Sequence, residues 1–64
     1  MNWSNLPEDI LDACSWSSSR RAWKFHPRDQ YEAIYYQDER TMLNEAARYL
    51  GYGSLEEATL NYYP

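Results

Sequence analysis

With a single cysteine, Cys14, and a single histidine, His26, this 64-residue chain can close no internal disulfide and cannot supply a four-ligand zinc site. Chains of this length bury only about 60% of the surface their unfolded form exposes, and they commonly need some staple to reach ~3–5 kcal/mol of stability. What this chain offers instead is rings, since eleven residues are aromatic and seven of those are tyrosines. The expectation is one small domain over residues 1–64, held by aromatic packing, as a monomer or a small homo-oligomer.

The same composition bears on function. Catalysis needs convergent titratable groups, whereas protein interfaces favour rigid amphipathic rings such as Tyr and Trp. No motif for a cofactor, metal or substrate is present, so the chain reads as a binding module that is not an enzyme and takes no cofactor. His26 precedes Pro27 in an expected turn, Cys14 falls on the apolar side of a short helix, and the carboxylate neighbours Asp38/Glu39 and Glu56/Glu57 point apart on a helix.

Apolar spacing changes period twice along the chain. Residues 6–14 read as a short helix with Leu6, Ile10, Leu11 and Cys14 on one face, Pro7 in its first turn and Glu8 and Asp9 at its positive end; Ser15 to Ser19 then break it. From Arg20 to Phe25 the pattern alternates, and Tyr31 to Tyr36 alternates again across His26-Pro27-Arg28-Asp29-Gln30, which suits a hairpin. That arrangement turns Trp23, Phe25, Ile34 and Tyr36 inward and leaves Arg20, Lys24, Tyr31 and Tyr35 on an open face. Helical spacing is also compatible with 28–40, which leaves an all-α bundle as the alternative fold.

The C-terminal half has stronger punctuation. Asp38 is placed to N-cap a helix over 39–50 that aligns Met42, Leu43, Ala46, Ala47, Tyr49 and Leu50; Gly51 ends it and Tyr52 packs back. Ser54-Leu55-Glu56-Glu57 is a capping box that starts a last short helix with Leu55, Ala58, Thr59 and Tyr62 on one side. The expected fold is therefore α+β, helix, β-hairpin, helix, short helix, with Trp23, Phe25, Ile34, Met42, Leu43, Ala46 and Leu50 in the core.

A formal charge of −4 argues against a nucleic-acid binder and favours a basic or protein partner. Local roles account for seven of the ten acids, as helix caps, first-turn residues, a turn residue or an i,i+3 partner, and leave Asp12, Glu32 and Glu56 without one. Glu8 and Asp12 form a like-charge i,i+4 pair, unfavourable by ~0.2–0.5 kcal/mol. The basic stretch Arg20-Arg21-Ala22-Trp23-Lys24-Phe25-His26-Pro27-Arg28 reads as a hairpin whose cations pair with surrounding acids.

Three resemblances follow from particular residues or from type. Glu45-Ala46-Ala47-Arg48-Tyr49-Leu50-Gly51-Tyr52-Gly53-Ser54-Leu55 resembles the E-A-A-x-x-L-G-x-S run of excisionase-type helix-turn-helix domains, and implies a small DNA-binding or recombination accessory factor. In that family the next helix carries cations, where this chain has Glu56 and Glu57. Leu6-Pro7-Glu8-Asp9-Ile10-Leu11 resembles the opening of an F-box, without the leucine-rich helices that follow it. In type, with no shared motif, a short acidic tyrosine-rich chain is similar to phage-encoded inhibitors of host systems, including anti-CRISPR proteins. That similarity implies a non-catalytic inhibitor which occludes the DNA- or PAM-binding surface of a basic protein complex, binds no nucleic acid or membrane itself, and acts in the bacterial cytoplasm. A structural or regulatory subunit is a further alternative. The partner-binding residues expected are Asp12, Glu32 and Glu56 as charge and Tyr31 and Tyr35 as anchors, in a wider set that includes Glu8, Asp9, Glu57, Tyr52, Tyr62 and Tyr63.

Overall fold

The computed structural model describes residues 3–62, with side chains to residue 59. After a 3-10 turn at Trp3–Asn5, the elements are α1 (Glu8–Ala13), β1 (Cys14–Ser17), β2 (Ala22–Phe25), β3 (Ile34–Tyr36), α2 (Glu39–Tyr49) and α3 (Leu55–Tyr62). The fold is α+β, with helices on one face of an antiparallel sheet ordered β1-β2-β3. Among the described residues no helix is long and apolar enough to cross a membrane.

Local chemistry defines α2. Asp38 accepts from the Thr41 amide at 2.8 Å and the Thr41 hydroxyl at 3.0 Å, satisfying an otherwise orphaned N–H of the first turn. At the other end Tyr52 N–H donates to the Ala47 carbonyl and Gly51 N–H to the Arg48 carbonyl, at 2.9 and 3.2 Å, around Gly51 at φ 95°. This is a Schellman ending, and its positive φ suits glycine. Ser54 Oγ accepts from the Glu57 amide at 3.1 Å to start α3.

The sheet departs from the expected hairpin in three ways. Residues 14–17 form a strand, because Cys14 and Trp16 alternate with Ser15 and Ser17 and pair with Phe25 and Trp23. A four-residue loop, with Arg21 at φ 52°, joins β1 to β2, so Arg20 and Arg21 are turn residues and β2 begins at Ala22. β3 is confined to 34–36, pairing Ile34 with Phe25 and Tyr36 with Trp23. Tyr31 and Glu32 consequently lie in the connecting loop. There Gln30 N–H bonds the Pro27 carbonyl, which makes Arg28 and Asp29 the centre of the turn. Loop 28–33 is not helical, and the all-α alternative falls with it.

The core joins Leu6, Ile10, Cys14, Phe25, Met42, Leu43, Ala46, Ala47, Leu55 and Ala58, with Trp23, Tyr36 and Leu50 packed partly buried against it. Ile34, expected inside, is 44% exposed, because it is on an edge strand whose outer side borders no other strand among the described residues. All three tryptophans gather near the start of α2. Trp3 and Trp16 stand 5.9 and 5.0 Å from Trp23, and Trp3 Nε1 donates to Glu39 at 3.2 Å. Arg20 lies over the Tyr35 ring at 4.5 Å, on the opposite, open face of the sheet.

Candidate functional site

The most distinctive surface is an acidic cleft of about 620 Å³ between α1, the 26–29 segment and the last turn of α2. Its formation follows from the sequence locally. Glu8 and Asp9 occupy the first turn of α1, where the helix dipole favours acids, and Asp12 follows Glu8 one turn on, on the same side. Pro27 is fully buried and anchors the loop, which brings Asp29 to the same rim.

Two tyrosines, one in the last turn of α2 and one just beyond it, fasten two of these acids. Tyr49 donates to Asp29 at 2.7 Å and accepts from Gln30 Nε2 at 3.0 Å, while its ring meets Phe25 edge-on at 5.6 Å. Tyr52, turned back by Gly51, shares its hydroxyl with both Asp9 oxygens at 3.0 Å. Donation to Asp29 pushes the Tyr49 phenol above its ordinary pKa; for Tyr52, burial does so first and the Asp9 carboxylate second. Both hydroxyls therefore stay protonated as fixed donors, which orient the carboxylates. His26 Nε2 is 3.0 Å from the Gln30 carbonyl at the same loop.

The lining carries four carboxylates, Glu8, Asp9, Asp12 and Asp29, against one guanidinium, Arg28. With His26 neutral this is a formal −3, compared with −4 for the whole chain. Among the described residues these carboxylates do not converge as a metal-ligand set. Cys14 is away from this chemistry. It is 4% exposed, and burial pushes its thiol up to about 12, which leaves no thiolate at neutral pH.

Of the expected partner-binding residues, Asp12 lies in this cleft, and Tyr31 and Glu32 are exposed in the loop that continues from it. Tyr35 is 37% exposed on the open sheet face beneath Arg20. Glu56 stands apart, bonded at 2.9 Å to Arg40 in the first turn of α2, whereas Tyr49 is nine residues further along the helix, or about 13 Å. Asp12 and Glu56 are thus not without partners. Arg28 approaches Asp12 at 3.8 Å, and each pair spans sixteen sequence positions, beyond the range of helix-spacing rules. Both pairs are solvent-exposed, so each is worth little to the fold. Tyr62 and Tyr63 lie outside the described side chains.

Sequence reasoning did not connect Asp29 with Tyr49, or Asp9 with Tyr52. The one signal available was Gly51, which reverses the chain and returns Tyr52 toward α1. No known family model matches this chain, and comparison with characterised proteins and with solved structures brings up no match.

Proposed function

We propose that this chain is a non-catalytic inhibitor that sets its acidic cleft against the basic, nucleic-acid-handling surface of a partner complex, such as a CRISPR effector, and occludes DNA binding there. The observation that supports this reading is the concentration of a formal −3 in one cleft, with two of its four carboxylates, Asp29 and Asp9, oriented by Tyr49 and Tyr52. A field of one sign focused in a concave site raises the encounter rate with a basic partner and is screened by salt. Exposed rings beside it, Tyr31 foremost, are placed to slow dissociation after contact.

The test is displacement of labelled target DNA from purified CRISPR effector complexes, followed by surface plasmon resonance on any complex that responds. Paired reversal of Glu8→Lys and Asp12→Lys is expected to slow association by about tenfold at low salt and to flatten its salt dependence. Glu56→Lys, in α3 beside the far end of α2, should leave the rate unchanged. Equal rates for all variants would remove the cleft from the mechanism. Retardation of random duplex DNA by the chain alone would replace this reading with DNA binding through the α2–α3 pair, the arrangement its helix-turn-helix resemblance implies.

A further inference from the structure

The outer edge of β3 has the geometry of a strand-addition site. His26 N–H donates to the Ala13 carbonyl at 2.8 Å, which extends the β1–β2 ladder by one pair and sets its phase. In an antiparallel ladder, hydrogen-bonded pairs alternate with non-bonded ones. Ala22 and Lys24 therefore direct their backbone groups toward β1, and Trp23 and Phe25 direct theirs toward β3. Within β3, Ile34 and Tyr36 bond to β2 and the N–H and C=O of Tyr35 point outward. No further strand borders that side among the described residues. The opposite edge is less open, because the outward N–H of Cys14 is taken by the Ile10 carbonyl where α1 runs into β1.

Side-chain surroundings agree with the backbone. Of the five exposed large apolar residues among those described, Tyr31, Ile34, Tyr35 and Tyr49 lie in or beside β3, and Trp16 does not. Beside the edge, Phe25, Ile34, Tyr36 and Tyr49 floor a groove of about 400 Å³ whose other wall is Glu45 and Arg48 of α2. An added strand would turn alternate side chains into this groove.

The charges flanking β3 select the occupant. Glu32 and Asp38 flank β3, each two residues beyond its ends, so a second copy pairing antiparallel about Tyr35 would bring the acidic flank of each chain toward that of the other, which opposes self-association. We infer that the β3 edge takes an extended, antiparallel segment of a protein partner, with two apolar residues opposite Ile34 and Tyr36 and basic residues opposite Glu32 and Asp38. This rests on the chain acting by binding protein, and it does not depend on what the acidic cleft engages.

The probe is the fluorescein-labelled peptide Lys-Thr-Val-Thr-Val-Thr-Lys, followed by anisotropy at low salt and by the amide NMR spectrum of the intact chain. Binding that shifts the Tyr35 amide is expected. Methylating the backbone nitrogen of the central Thr, which removes its hydrogen bond to the Tyr35 carbonyl, should weaken binding at least tenfold; exchanging both Lys for Glu should weaken it as much. Equal binding of the methylated peptide overturns strand addition, and equal binding of the Glu peptide overturns the charge assignment. A Tyr35 shift that follows protein concentration without peptide assigns the edge to a second copy and overturns the inference, as does no binding at millimolar peptide. Because only the peptide is varied, folding of the chain is constant throughout. Failure of the effector assay with a positive peptide result rejects the cleft reading alone, and the reverse pattern rejects the edge alone.

Discussion

Helix α2 and strand β3 are neighbours across the same core, yet they are held by different means. Each end of α2 is closed by bonds three to five positions long, by Asp38 on Thr41 and by Gly51 and Tyr52 on the Arg48 and Ala47 carbonyls, and its buried stripe meets sheet, α1 and α3. β3 has three residues, one paired neighbour and an open edge. Helix ends that satisfy their own polar groups tolerate change in distant parts of the chain. A short edge strand depends on the strand beside it, and the apolar surface it leaves uncovered is available for binding.

The cross-strand pair Phe25 and Ile34 gives the sharpest way to break that contrast. Phe25→Ala removes a ring that is 1% exposed and should cost about 3–5 kcal/mol, enough to unfold most of a domain this small. Ile34→Ala, directly opposite, should cost under about 1 kcal/mol, and urea denaturation monitored by circular dichroism distinguishes the two. Comparable losses would mean that β3 belongs to the core after all.

Gly51→Ala comes next. A Cβ there meets nothing within 4 Å, so the cost comes from the backbone at φ 95° alone, about 1–2 kcal/mol, read as a lower thermal midpoint. An unchanged midpoint would show that the Schellman ending is dispensable to α2.

Smaller effects depend on pH. The Thr41 amide, and after it the Thr41 hydroxyl, hold the Asp38 carboxyl below its ordinary value of 3.8. A depressed folded-state pKa contributes stability above that value and loses it as pH falls through the folded one. Stability should therefore drop on acidification below pH 3.8, less steeply in Asp38→Ala. Cys14 has the opposite sign. Its contribution is complete below the ordinary thiol value of 9.0 and is lost as pH rises from there toward about 12, with thiol reagents reacting at neutral pH only on unfolding.

The smallest changes are at the open face. Tyr35→Ala removes the ring under Arg20 and should cost about 0.5–1 kcal/mol; Tyr31→Ala, at a side chain 96% exposed, should fall within ±0.5 kcal/mol. A destabilised Tyr31→Ala would mean that the loop packs more closely than its exposure implies.

Legibility in the sequence follows the same division. The bounds of α2 and its caps could be read because every group involved lies within a few residues. β1 could not, because Ser15 and Ser17 look like loop material until Trp16 and Cys14 are known to pair with β2. Alternation marks Ile34 to Tyr36 as strand but starts it too early, at Tyr31, since only register with Phe25 shows that Tyr31 through Ala33 are outside the ladder. At the cleft, Glu8 and Asp12 already signalled themselves as an unfavourable like-charge pair. Asp29 joined them only through Tyr49, twenty positions away.

The tryptophan cluster has an optical consequence. The Trp3 and Trp16 rings lie 5.9 and 5.0 Å from Trp23, so tryptophan emission from this chain originates from one locus, beside Glu39 at the beginning of α2. The acidic cleft adjoins the other end of that helix, roughly 15 Å away. Tryptophan fluorescence therefore reports the seam between the N-terminal turn and the sheet, and an event confined to the cleft leaves it unchanged.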